Sequence, residues 1–316
     1  MRIPHKIRSK TNIAIIALET TRAPDYWIQR LNEFDGVITF CDTSVNAFKS
    51  CGLNVPIFKI PHSFDMKHYA INNNYVINPK IQEAVKNKFV FYNISQLSTK
   101  KGIDILLRSY FGQFYNKKDV ILILKTYINM HGRDGEREQI QSYINGVKSA
   151  MRLPLEGYPP VLLITNILTD KEVAGLHKIS NCYVASSRGE GWCLPAFEAL
   201  AYGNKLITTP WGGMKEYSIT PNIEFTSGFM PKNNVYLVDY SLEPLIGQNH
   251  ADPELFTSRD FIAEPSVKSM MTAMRNAVDF NKIDTPDLME FDHSIVGPKM
   301  LTVINKIKEI KNDKSV

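Results

Sequence analysis

Residues 186–203 read SSRGEGWCLPAFEALAYG, and directly before them residues 182–185 form a short apolar run. A buried strand, a glycine-punctuated loop and an apolar helix make the repeating unit of an open parallel sheet, in which ligands sit beyond the carboxyl ends of the strands. Gly189 and Gly191 flank Glu190 and permit close backbone approach. Pro195 suits the first helical position, where its missing N–H costs nothing, so the spacing predicts a helix over 195–202 with Glu198 in its first turn. Residues 205–208 then read as another strand, ending at Pro210, Trp211, Gly212 and Gly213.

The same alternation extends in both directions. Strand-like runs at 13–18, 36–40 and 57–60 are separated by helix-like segments at 26–34 and 44–50. A second series starts at strand 89–94 and continues through helix 104–114, strand 120–125, helix 137–151, strand 161–164 and helix 171–178. The expected fold is α/β, with two Rossmann-like parallel-sheet domains of which the N-terminal one is reduced. The expected division is a small domain over 1–71, a larger one over 72–265, and C-terminal helices over 266–316 packing back toward the first. The polar, proline-ended stretch 72–79 serves as the connection.

Composition narrows the class. A chain of 316 residues has material for two domains, and 44% hydrophobic with 22% charged residues excludes a disordered or fibrous protein. No apolar run approaches the ~20 residues of a membrane-spanning helix. The basic start, MRIPHKIRSK, precedes only a strand-length apolar run, unlike a secretory signal. The expected location is the cytoplasm, including the inner membrane surface. Cys41, Cys51, Cys182 and Cys193 form no C-x-x-C pair and are read as buried free thiols. The net charge of +5 gathers at the two ends, which suits an anionic partner and gives nucleic acid only weak support.

Glu190 and Glu198 are separated by seven residues, a spacing that does not assign acid and base roles. Carboxylates at a strand-to-helix loop are suited to sugar or ribose hydroxyls through charge-assisted hydrogen bonds, with neighbouring N–H groups for a phosphate. For Glu198 alone the plainer reading, a glutamate complementing the helix dipole, is preferred; Glu190 between two glycines is harder to dismiss, since that sequence gives up backbone order without an obvious structural return. Ser98, Thr99, Lys100, Lys101 and Gly102 form a second strand-to-helix turn whose lysines fit a diphosphate, although such a turn by itself is more often a solvated loop. With neither a Walker pattern nor a G-x-G-x-x-G fingerprint present, nucleoside triphosphatase and dehydrogenase chemistry fall away.

Taken in order, these blocks closely resemble glycosyltransferase family 4 (group 1), whose GT-B enzymes pair two Rossmann-like domains across a cleft. Glu190 to Glu198 resembles the family's glutamate, seven residues, glutamate motif, in its common form G-E-G-W-x-L-P-x-x-E-A-x-A-x-G, and Thr209 to Gly213 with Glu216 and Tyr217 resembles the block that follows. Lys100, Lys101 and Gly102 resemble the family's basic pair and glycine, and Pro61, His62, Ser63, Phe64 and Asp65 its interdomain link. The resemblance implies transfer of a sugar from a nucleotide-diphosphate sugar with retention of configuration, with no metal and no cofactor beyond that co-substrate. It also implies that Lys101, with Lys100 beside it, neutralises the donor diphosphate. Glu198 would bind the ribose, Glu190 with the N–H groups of Gly191 and Trp192 would face the donor sugar and phosphates, and Leu194 would line the pocket. Lys101 and Glu190 are the catalytic candidates. No D-x-D motif is present.

Two departures stand out. Ser95, Gln96 and Leu97 replace the family's usual arginine-containing segment, and the link begins already at Pro61. The acceptor, whether a saccharide, a lipid-linked sugar or, on charge alone, a hydroxylated DNA base, is then met by a reduced surface, or by one completed by a partner subunit or second copy. The alternative is a nucleotide-sugar-binding or assembly subunit without catalysis.

Overall fold

The computed structural model describes residues 3, 5–7, 9–71, 75–128, 135–221, 229–246, 256–281 and 284–313, so part of the connection expected at 72–79 lies outside the described residues. Its smaller sheet is parallel and three-stranded, β1 (Ile13–Ile15), β2 (Gly36–Thr39) and β3 (Ile57–Lys59), in the order β1-β2-β3. Helices α1 (Asp25–Leu31) and α2 (Asp42–Ser50) contribute Trp27, Ile28, Leu31, Ala47 and Phe48 to a cluster around Val37. After β3 the link leads through α3 (Met66–Ile71) and α4 (Pro79–Val85) into the larger sheet.

That sheet holds β4 (Phe89–Gln96), β5 (Val120–Tyr127), β6 (Val161–Ile164), β7 (Cys182–Ala185), β8 (Lys205–Thr208) and, further on, β11 (Val235–Leu237). All are parallel, in the order β11-β8-β7-β4-β5-β6. A parallel strand covered on both faces is apolar almost throughout, as VILILKTY in β5 illustrates. Helices α5 (Ile103–Gln113), α6 (Glu136–Met151) and α10 (Val267–Asp279) pack on one face. The other is covered by α7 (Asp170–Ile179), α8 (Leu194–Ala201) and α9 (Met214–Ser218), together with α4. Two short antiparallel pairs, β9 (Ile219–Pro221) with β10 (Phe229–Pro231) and β12 (Tyr240–Pro244) with β13 (Phe261–Pro265), complete the sheets.

The terminal helices part. The amphipathic face of α10, with Met270, Ala273, Met274 and Ala277, is buried in the larger sheet's core against α5, which corrects the expectation that it returns to the N-terminal side. Helix α11 (His293–Asp313) makes that return. Its Val296 and Ile307 cluster with Ile38 and Ile60, and a Cβ on Gly36 would lie 2.8 Å from Ile307.

Two further expectations change. Helix α8 starts at Leu194, so Pro195 is its second residue and Glu198 falls in the second turn, with no acidic residue in the first. The dipole explanation for Glu198 loses its basis, since that effect fades beyond the first turn. Cys41 and Cys182 are buried, whereas Cys51 and Cys193 are half-buried; all four are free thiols. Among the described residues no helix is long and apolar enough to cross a membrane.

Candidate active site

Within the larger sheet the chain runs outward through β4, β5 and β6, then restarts at β7 and runs the other way through β8 and β11. The crossovers therefore diverge between β4 and β7, and this reversal opens a crevice at the strands' carboxyl ends where α/β sheets bind ligands. Lys100 and Lys101 sit in the tight turn Thr99–Lys101 after β4, and Glu190 sits in the loop after β7. The two loops are stitched together: Arg188 N–H donates to the Lys100 carbonyl at 2.8 Å, and Ser186 Oγ to the Lys101 carbonyl at 2.9 Å. Gly102 makes the close passage feasible. It has φ 64°, and a Cβ there would lie 2.1 Å from the Ser186 carbonyl oxygen.

This stitching brings Lys101 Nζ to 2.5 Å from Glu190 Oε1, which also accepts from Ser187 Oγ at 2.6 Å. Glu190 is only 6% exposed. Burial works to lower the Lys101 ammonium pKa, but the adjacent Glu190 carboxylate outweighs it and the net shift is upward. Lys100 Nζ reaches Glu19 Oε2 at 2.6 Å, a carboxylate from the smaller-sheet side of the molecule. Gly189 and Gly191 are approached by the chain itself: a Cβ on Gly189 would meet the Glu19 carbonyl at 2.7 Å, and one on Gly191 the Cβ of Ala17 at 2.6 Å. Both halves of the molecule thus meet at Glu190.

Around α8 the remaining candidates divide. The Trp192 ring is buried among His62, Phe64, Phe197, Tyr217 and Phe291, so its indole belongs to the core and its backbone to the crevice. Tyr217 OH donates toward the Trp192 carbonyl at 2.8 Å and lies 3.2 Å from that of Cys193. Cys193 occupies φ 68°, ψ 75°, a left-handed conformation unfavourable for a side-chain-bearing residue. Burial pushes its thiol pKa up, and the Glu190 and Glu198 charges add to that while Lys101 opposes it. Leu194 is exposed at the helix start. Glu198 is 30% exposed, with Oε2 3.6 Å from His177 Nε2.

Arg188 and Glu216 hold this arrangement. Arg188, itself buried, engages the Glu264 carboxylate through Nε and Nη2, Asp104 at 3.2 Å and the Thr99 carbonyl. It is fully committed to fastening the β7 loop to β13 and α5. Glu216 accepts from the Asp42 N–H and from Lys59 Nζ, both at 2.9 Å, and bridges the halves a second time. Burial lowers the Lys59 pKa, and its hydrogen bonds to Asp42 and Glu216 raise it by more.

Residues 77–234, half of the chain, match the family model described as glycosyl transferases group 1. The chain belongs to that family. The matched span contains every candidate residue from Lys100 to Glu198. The chain is also 22% identical over 222 residues to "Uncharacterized protein 356" of Sulfolobus islandicus rod-shaped virus 1, covering 70% of this chain and 57% of that protein's length. Among solved structures it is similar to an α,α-trehalose 6-phosphate synthase from Burkholderia multivorans, with TM-score 0.66, 10% identity, and 96% of this chain and 67% of that one covered. A UDP-forming synthase from Burkholderia xenovorans, in complex with glucose-6-phosphate, gives TM-score 0.60 at 10% identity, covering 89% and 62%. At such identities the likeness shows the fold. This member of the group 1 family is an α/β protein of GT-B type, with a six-stranded and a three-stranded parallel sheet.

Proposed function

We propose that this glycosyltransferase moves a sugar from a nucleoside-diphosphate sugar to an acceptor hydroxyl, with retention of configuration and without a metal ion. The observation that supports this most is the placement of Lys101 against Glu190 at the point where the sheet's strand order reverses, with Lys100 alongside. Each lysine holds a carboxylate of the chain itself, and a diphosphate offers the same charge in exchange. Glu190, with the backbone N–H groups of Gly191 and Trp192, faces the donor sugar and phosphates; Glu198 takes the ribose hydroxyls and Leu194 lines the pocket. As the glycosidic bond breaks, negative charge grows on the leaving diphosphate, and Lys101 together with the start of α8 stabilises it. No side-chain nucleophile is required.

In this reading, residues 1–71 form the acceptor side, 72–265 bind the donor, and a partner subunit or second copy completes the acceptor surface. The acceptor is a hydroxyl compound, a saccharide or lipid-linked sugar before a hydroxylated DNA base, met at the cytoplasmic side of the cell. Calorimetry with nucleoside diphosphates and a donor-hydrolysis assay test the reading. Glu198→Gln weakens nucleotide binding about tenfold, on the scale of a lost charge-assisted hydrogen bond. Lys101→Ala weakens diphosphates far more than the matching nucleoside. Unchanged affinity in both variants rejects the donor site. Binding without transfer or hydrolysis makes the chain a nucleotide-sugar-binding subunit.

A further inference from the structure

His177 lies on the buried face of α7 and is 1% exposed. Its ring stacks on Tyr202 with centroids 5.0 Å apart and planes 15° apart. A buried histidine is ordinarily a core residue with both nitrogens satisfied, and here one is not. Nδ1 lies 2.7 Å from the Tyr92 hydroxyl, whereas Nε2 is buried without a hydrogen-bond partner.

The surrounding bonds favour one tautomer of the ring. Asn204 Nδ2 lies 2.7 Å from the His177 carbonyl, a pure acceptor, which fixes the orientation of the amide. The same Nδ2 donates to the Tyr92 oxygen at 2.8 Å. The Tyr92 hydroxyl has two partners, Asn204 Nδ2, which can only donate, and His177 Nδ1, so Nδ1 is the acceptor open to its hydrogen. The imidazole hydrogen therefore resides on Nε2, aimed at Glu198 Oε2 across 3.6 Å. That gap is too long for a hydrogen bond and short enough to close with a small carboxylate movement, and hydrogen bonds of this kind commonly tighten only when ligand is present.

We infer that His177 is a positioning residue for donor recognition. Oriented by Asn204 and Tyr92, it donates from Nε2 to one oxygen of Glu198 and leaves the other for the ribose diol. The inference rests on the proposed role of Glu198 as the ribose contact. It explains why an imidazole, and not an aliphatic side chain, occupies this part of the core: a polar network specifies one geometry, and here its last donor points at Glu198.

The test compares a nucleoside diphosphate, taken from UDP, GDP and ADP as the one giving the largest thermal shift, with its 2′,3′-dideoxy form. The wild type prefers the ribose form by about tenfold or more, as expected for charge-assisted hydrogen bonds to the diol. Glu198→Gln removes most of that preference. His177→Phe, which keeps the stacking on Tyr202, lowers it to about threefold or less while dideoxy affinity stays near that of the wild type. Tyr92→Phe, which frees the tautomer without touching Glu198, lowers it in the same direction and provides the readout if His177→Phe does not fold. A merely structural role would lower melting temperature and leave the preference intact. Preference lost in Glu198→Gln but kept in His177→Phe and Tyr92→Phe overturns the inference alone. Preference that survives Glu198→Gln overturns the ribose assignment and takes the inference with it.

Discussion

Lys101 and Glu190 neutralise each other in the absence of donor, so the two charges must be considered together. Glu190→Gln leaves a mostly buried ammonium without its carboxylate. Complete burial would make the loss about 3–5 kcal/mol; with the Lys101 side chain 23% exposed we expect about 1–3 kcal/mol by urea denaturation. The same variant binds inorganic pyrophosphate more tightly than the wild type, because no carboxylate competes for the lysine, while sugar transfer falls at least about tenfold. Equal pyrophosphate affinity in the two proteins would contradict this. The folded pKa of Lys101 is raised above 10.5, so the stabilisation from the pair is fully present below 10.5 and is lost only as pH rises through the folded value. Between pH 7 and 9 pyrophosphate binding should therefore change little on account of this group. Both partners were legible in the sequence, Glu190 from its glycines and Lys101 from a lysine-glycine turn after a strand. Arg188 and Ser187 were not: Arg188 is held by Glu264, 76 residues away, and no local pattern encodes that.

Elements depend on positions where backbone and neighbour agree. Gly102 and Gly52 both lie in the left-handed region, at φ 64° and 90°, but Gly102 faces the Ser186 carbonyl whereas Gly52 faces open space. Gly52→Ala is expected to cost about 1 kcal/mol, from backbone strain alone. Gly102→Ala adds a steric collision and should cost about 2–4 kcal/mol, with weakened nucleotide binding because the β4 and β7 loops separate. Chemical denaturation of the two variants makes the comparison, and similar losses would show the loop junction to be soft. The buried strands β6, β7 and β8 coincide with the runs visible in the sequence, since parallel strands covered on both faces are short apolar blocks. The β12–β13 pair has no signal in the sequence. Strand β12, YSLEP, is exposed along nearly all its length, so no alternation marks it, and proline ends both strands. Pro195 suits the first helical position so well that the sequence alone places the start of α8 one residue late, and with it gives Glu198 a dipole role the structure does not support.

For the molecule as a whole, what counts is how its two halves are joined. Lys59, Asp42 and Glu216 form a partly exposed ion-pair group across the cleft. A double-mutant cycle on Lys59 and Glu216 should give a coupling of about 0.5–1 kcal/mol that shrinks in high salt. Asp292 belongs to the second junction. It accepts from the Ser294 hydroxyl first of all, then from the N–H groups of Ser294 and Met66, and these bonds hold its carboxyl pKa down to about 2 from 3.8. A lowered folded pKa contributes stability that is present above 3.8 and lost as pH falls toward 2. The stability difference between wild type and Asp292→Asn should accordingly close across that interval, as followed by denaturation midpoints at stepwise lower pH. At this junction Phe64 donates its N–H to the Phe291 carbonyl at 2.9 Å and accepts from the His293 N–H at 2.8 Å. The chain leaves the smaller sheet and returns to it side by side, as a door hangs on two pins set on one line. The two crossings are tied to each other at Phe64, and the Glu19–Lys100 ion pair joins the same halves again beside Glu190, so the halves are held at both ends of their shared boundary.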